Sequence, residues 1–179
     1  SNIFFKNKYD EVLFINKIDN SKFYYDSNNL QNILYSKNEV FKVPFKLTIK
    51  NDKFNKFVFT KFTSKKIRLN VETETNYEKE SKDGILDVLF INKSTSLNYT
   101  IDKDSFSFDS KNNKNNYSGT IDFKPFYFSA KFDYEGLSSK NLFNINLIFI
   151  DLINSEIFNN KNLSANLDVN IKDITNVNE

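Results

Sequence analysis

Acidic residues two or four positions apart are the first place to look for chemistry in this chain of 179 residues. Glu72 and Glu74 alternate along one extended run and face the same way, a spacing that could support general acid and base work. Leu69, Val71 and Thr73 fill the opposite phase of that run, so the two carboxylates read as a solvated face. Asp102 with Asp104, and Asp83 with Asp87, fall at turns with no activating partner, and they read the same way. The chain contains no Cys, His, Met or Trp. That removes thiolate nucleophiles, disulfides, cysteine metal sites and the commonest general base. A calcium loop needs a dense Asp/Asn/Gly run closed by Glu, and residues 109–116 have the Asn without the spacing or the Glu. With only three glycines, no phosphate-cradling loop exists. The chain reads as non-catalytic, with neither cofactor nor metal.

The other conspicuous set is twenty Phe and nine Tyr. Phe126, Phe128, Ala130, Phe132 and Tyr134 all fall in one phase of a two-residue period, the signature of a strand with one apolar and one wet face. The same alternation recurs at Val43-Phe45-Leu47-Ile49, Leu69-Val71-Thr73, Leu86-Val88-Phe90, Leu97-Tyr99-Ile101, Phe106-Phe108, Tyr117-Gly119-Ile121-Phe123 and Ala165-Leu167-Val169-Ile171. Two earlier strand-like runs, 11–18 and 22–25, flank a turn-like Asp19-Asn20-Ser21. Leu30, Ile33 and Leu34 have helical spacing and predict a short helical turn or loop. Further turns are expected at Asn51-Asp52 and over 79–84, where Gly84 can take a positive φ.

The texture changes after Gly136. Leu142, Ile145, Phe149 and Leu152 recur every three to four residues, which predicts a helix over about 138–153 capped by Ser138 or Ser139. Dense β-branched and aromatic residues over 145–150 also suit a buried strand, which is the rival reading there.

These elements amount to about ten strands and one helix, within a single domain spanning 1–179. The predicted fold is mainly β, a large curved antiparallel sheet forming an open groove. A barrel or a sandwich would also house such strands, but scarce Gly leaves few sites for sharp barrel corners. The same scarcity counts against a closed ligand carrier of the lipocalin kind.

Charge narrows the partners. Twenty-five cationic and 23 acidic residues leave a net +2, with Arg68 the single arginine. That is no basic field, so Lys interleaved with Phe reads as strand patterning and not as a nucleic-acid platform. Lys, Asn, Ile, Phe and Tyr are also the residues of A/T-rich codons, which accounts for part of the bias. No run approaches the roughly 20 apolar residues of a membrane-spanning helix. The chain does not begin with Met and reads as a segment of a longer protein.

Ten strands at about 4.8 Å spacing would make a sheet about 45 Å wide. An apolar surface of that size marks a binding surface. A lipid acyl chain matches it, because each buried methylene contributes about 0.8 kcal/mol without directional demands. The expected lining is Phe45, Leu47, Ile49, Leu69, Val71, Val88, Phe90, Tyr99, Ile101, Ile121, Phe126, Phe128, Leu167 and Val169, with Lys and Asn on the convex side. The alternative is a self-contained β-sandwich or barrel, an adhesion or scaffold module that covers its own core and binds no lipid.

Over 117–174 the chain resembles the AsmA-like proteins of Gram-negative bacteria, the group that includes TamB and YhdP. The carrying stretches are Gly119-Thr-Ile-Asp-Phe-Lys-Pro-Phe-Tyr-Phe128, Gly136-Leu-Ser-Ser-Lys-Asn-Leu-Phe143, Leu152-Ile-Asn-Ser-Glu-Ile-Phe158 and Leu163-Ser-Ala-Asn-Leu-Asp-Val-Asn-Ile171. The earlier part of the chain is similar in strand texture alone. The resemblance implies a periplasmic protein of the cell envelope, held to the inner membrane by a segment not in this chain. Its curved sheet would carry phospholipid between inner and outer membranes and maintain outer-membrane lipid. Other envelope proteins would be its partners. The family offers no catalytic residues to transfer.

Overall fold

The computed structural model describes residues 1–6, 9–76, 82–90, 93–110, 116–123, 126–140, 142–143, 146, 150 and 164–175. Strands dominate. They are β1 (Asn2–Lys6), β2 (Val12–Asp26), β3 (Gln31–Val40), β4 (Val43–Asp52), β5 (Phe57–Ser64), β6 (Leu69–Asn76), β7 (Lys82–Phe90), β8 (Lys93–Ile101), β9 (Ser105–Ser110), β10 (Asn116–Phe123), β11 (Phe126–Tyr134), β12 (Leu137–Ser138), β13 (Ser164–Ile171) and β14 (Ile174–Thr175).

Twelve of them form one open sheet whose spatial order follows the chain from β1 to β11 and closes with β13. The first eleven strands are a meander of antiparallel pairs. The last pairing differs from the expected all-antiparallel sheet: β13 runs parallel to β11, from Tyr127↔Ser164 to Tyr134↔Ile171. A parallel neighbour needs a crossover, and the chain between β12 and β13 supplies it. β12 and β14 form a separate two-stranded ladder.

Several local expectations are corrected. Asp19-Asn20-Ser21 is not a turn; β2 runs straight through it, absorbing the polar triplet as a bulge between Ile18 and Asn20. The helical spacing of Leu30, Ile33 and Leu34 yields to strand pairing, because β3 is held on both sides, by β2 and by β4. Asn51 and Asp52 belong to β4, and the turn follows them. Gly84 lies inside β7 and not in a turn, opposite Tyr99. The helix expected over 138–153 falls largely outside the described residues, and no helix is delineated among those that are described.

One family of hairpin turns has a common chemistry. Asp26 Oδ1 accepts from the Asn28 and Asn29 amides at 3.0 and 3.2 Å, and Asn29 Nδ2 donates to Oδ2 at 2.9 Å. Asp52 repeats this with Asn55 at 2.8 and 3.0 Å, and Asp102 with Asp104 and Ser105 at 2.8 and 2.7 Å. An aspartate that tethers the amides after it makes a turn without glycine. Two of these turns hold a non-glycine residue at positive φ, Leu30 and Lys56, a conformation that disfavours a Cβ; Asp10, Phe41, Lys42 and Arg68 adopt it outside them.

A right-handed twist accumulated over twelve strands makes such a sheet curl. The curl brings Phe14 of β2 to 6.2 Å from Phe126 of β11, with Phe41 packed 5.8 Å from Phe14. The two flanks of the sheet therefore meet at this point although they are remote in the strand order.

Candidate functional site

Register decides which side chains share the inner face of the curl. One row runs Asn38↔Phe45, then Ser64↔Leu69, then Leu69↔Phe90. The next carries Leu47↔Phe62↔Val71↔Val88. Further along, Tyr99↔Phe108, Ile101↔Phe106↔Ile121↔Phe128 and Ala130↔Leu167, Phe132↔Val169 continue the same surface. All fourteen expected lining residues fall on this one face. The intervening positions, such as Lys61, Glu72, Asp87, Ser96 and Asp133, form the convex side.

Burial grades the lining. Tyr99 is fully buried, Leu167 is exposed, and the other twelve are half-buried. The face is thus neither a dry closed interior nor a flat wet surface. Phe62, Leu97, Phe106, Phe108 and Phe132 belong to it as well. Their alternation was visible in the sequence, but nothing local distinguished them as lining.

One end of the concavity is sealed by the chain itself. Tyr134 and Leu137 form a buried cluster, Leu137 being 1% exposed. Ile67 and Phe90 pack against it from one flank, and Tyr117, Phe132, Val169 and Ile171 from the other, with Leu142 beside them. Gly136 at φ 73 makes the turn that places Leu137 there, and Leu137 N–H donates to Asp173 O at 2.9 Å. Two expected lining residues, Phe90 and Val169, are therefore engaged with this plug. Burial pushes the Tyr134 hydroxyl up to about 12, with the neighbouring Tyr117 adding to it, and burial raises Tyr117 also.

Two aromatic rings of the concave face lie over glycine. A Cβ on Gly84 would come within 2.8 Å of the Tyr99 hydroxyl, and one on Gly119 within 2.5 Å of the Phe108 ring. Each ring covers a cross-strand glycine, an arrangement that fills the gap the missing side chain leaves. The Tyr99 hydroxyl is hydrogen-bonded to the Thr75 hydroxyl and donates to Glu74 O at 3.3 Å.

Three of the acids considered for catalysis, Glu72, Asp87 and Asp102, have structural partners. Glu72 is held by Lys61 at 2.6 Å and by Asn70 Nδ2 at 3.1 Å, and these bonds, Lys61 first, keep its carboxyl below the usual range. Asp102 is lowered by the turn amides it accepts. Asp87 accepts from Ser96 at 2.5 Å. Among the described residues no three acidic groups gather as metal ligands would.

A cleft of about 410 Å³ lies on the convex side, between Lys50, Phe57, Phe59 and Glu74 and bordered by Gln31, Asp52 and Asn55. Lys50 sits 5.9 Å from the Phe59 ring centre there. No sequence motif singled this cleft out, and it does not communicate with the predicted lining, which projects from the opposite face. No known protein family, curated protein or solved structure matches the chain.

Proposed function

We propose that this chain is a non-catalytic segment whose curled sheet holds lipid acyl chains along its concave face. The observation that carries this reading is the register: from β3 to β13 one side of the sheet carries mostly apolar side chains, and most of these are only half-buried. Aliphatic and aromatic side chains without directional groups suit a hydrocarbon tail, which gains by leaving water and asks for no partner. No carboxylate occupies a concave position from β3 to β11 or on β13, so no acid there would oppose a phospholipid's negative headgroup. On the resemblance over 117–174, the wider role is phospholipid transport between inner and outer membranes from a periplasmic position. Inner-membrane attachment would then lie outside this chain.

The test is lipid extraction and native mass spectrometry of the purified chain. Copurifying phospholipid, lost when Leu47 and Val71 are both replaced by Asp, is the expected result. A lipid-free protein that also takes up no added phospholipid would end the reading.

A second reading, a self-contained β module without lipid, is favoured by the Tyr134–Leu137 plug and by the Phe14–Phe126 contact. Both show the chain covering part of its own apolar face. On that reading the same double substitution lowers stability and changes no lipid content.

A further inference from the structure

β2 is 15 residues long, but β1 covers only its first part, from Lys6↔Val12 to Asn2↔Lys17, with the Ser1 amine and carbonyl bonded to Ile18. Beyond Ile18 the strand pairs with β3, from Asn20↔Lys37 to Asp26↔Gln31, and no strand among the described residues lies on its other side. This second half is an open edge. Every residue from Asp19 to Tyr25 is exposed, and three consecutive aromatics stand there, Phe23 at 69%, Tyr24 at 45% and Tyr25 at 49%. Past Asn20 neither a proline nor a bulge blunts it, and the free backbone groups of such an edge are a template for another strand.

The sequence of this edge matches itself. When two copies of Lys22-Phe23-Tyr24-Tyr25-Asp26 run antiparallel with Tyr24 opposite Tyr24, each Lys22 faces the other copy's Asp26 and each Phe23 faces a Tyr25. We infer that the edge is a self-pairing surface, on which a second copy of this chain adds its own β2 across a twofold axis at Tyr24. Charge selects that register. Sliding one copy by a strand repeat sets Lys22 against Tyr24 or Asn28 and leaves the lysine without its acid. The Asn29 side chain and amide hold the Asp26 carboxyl below its ordinary range, so it stays charged. β13, the opposite edge of the sheet, carries Asp168 and no cation, and offers no such match.

The pairing also keeps the faces of the sheet in phase. Phe23 and Tyr25 lie opposite Leu34 and Asn32 on the concave side, and Lys22, Tyr24 and Asp26 alternate with them on the convex side. A twofold axis perpendicular to the sheet leaves each face on its own side, so the two concave surfaces continue into one another. The inference holds whatever the concavity contains.

The test exploits the absence of native cysteine. Tyr24→Cys places a thiol opposite its own copy, within reach of a disulfide on mild oxidation. Phe23→Cys and Tyr25→Cys place the two thiols diagonally, with Cα atoms about 7–8 Å apart, which is too far. Covalent dimer on non-reducing gels is therefore expected to form fastest with Tyr24→Cys. Adding Lys22→Glu, which sets like charges opposite one another at both ends, should slow it about tenfold. Wild-type chain should show concentration-dependent dimer in sedimentation velocity, and Lys22→Glu should reduce it. Fastest crosslinking with Phe23→Cys, the most exposed of the three sites, or a rate indifferent to Lys22→Glu, overturns the inference. A wild type that sediments as a monomer up to about 0.1 mM also overturns it, and leaves the edge to a strand of some other chain.

Discussion

The concave surface has two unlike walls. From β3 to β6 its apolar side chains are interrupted by Asn32, Ser36, Asn38, Asn51, Thr60, Ser64, Thr73 and Thr75. From β9 through β11 to β13 it is almost wholly aromatic and aliphatic, with Phe106, Phe108, Ile121, Phe126, Phe128, Phe132 and Leu167. The mixed wall satisfies much of its polarity internally: Asn38 Nδ2 donates to Ser36 Oγ at 2.7 Å, and Ser64 Oγ to Pro44 O at 2.7 Å. Elsewhere rings lie over glycine instead. The difference teaches that one alternating pattern can encode two surfaces, one fixed by hydrogen bonds and one by ring packing. Only the second is apolar enough to be mistaken for a core throughout.

The strongest way to break this contrast is to remove what joins the walls. Leu137→Ala takes away a side chain wedged between Ile67 and Phe90 on one flank and Phe132 and Val169 on the other. A loss of about 3 kcal/mol in urea unfolding is expected, in line with fully buried leucines. A loss below about 1 kcal/mol would mean the walls do not meet there.

Alkali probes the same junction. The folded state holds Tyr134 protonated up to about 12, against an ordinary value of 10.0. The stabilisation is therefore complete below pH 10 and disappears as pH rises through 12, a loss of about 2–3 kcal/mol. In Tyr134→Phe this part of the alkaline decline should vanish from thermal melts recorded between pH 9 and 12.

Glycine substitution compares ring packing at two points along the sheet. A methyl at Gly119 would meet the Phe108 ring at 2.5 Å and the Ser129 carbonyl at 2.6 Å; at Gly84 the nearest atoms, the Tyr99 hydroxyl and Glu74 O, are at 2.8 and 2.9 Å. Gly119→Ala should cost about 1–3 kcal/mol and more than Gly84→Ala, since the tighter pair has less room to shift. Equal costs would show that the aromatic wall yields as readily as the surface nearer β6. The smallest effect is expected outside both walls. Leu30→Gly relieves a φ of 52° at an exposed turn and should raise stability by about 0.5 kcal/mol, read from the same melts.

The inner face was legible in the sequence because strand alternation is local. Each of the fourteen expected lining residues stands in phase with its own neighbours, and antiparallel register carries that phase from strand to strand. Turn positions were less legible. Asp52 looked like the turn itself, whereas it ends a strand and tethers the amide of Asn55 beyond it. Asp19-Asn20-Ser21 has turn composition, but pairing with β3 on one side carries the strand through it. The Phe14–Phe126 contact could not be read at all, because it depends on twist summed over the whole sheet. The Leu137 plug was equally hidden, since its strand partners lie on β7, β10, β11 and β13 and no local pattern connects them.

The sheet's strand order has a consequence for its assembly. Eleven strands join hand to hand in the order in which a ribosome would deliver them, so each hairpin can zip onto the last with little loop to close. The final strand breaks that rhythm, docking alongside β11 only after the whole intervening crossover has emerged. Until then the edge of β11 is bare, and the slowest folding phase should belong to its capture.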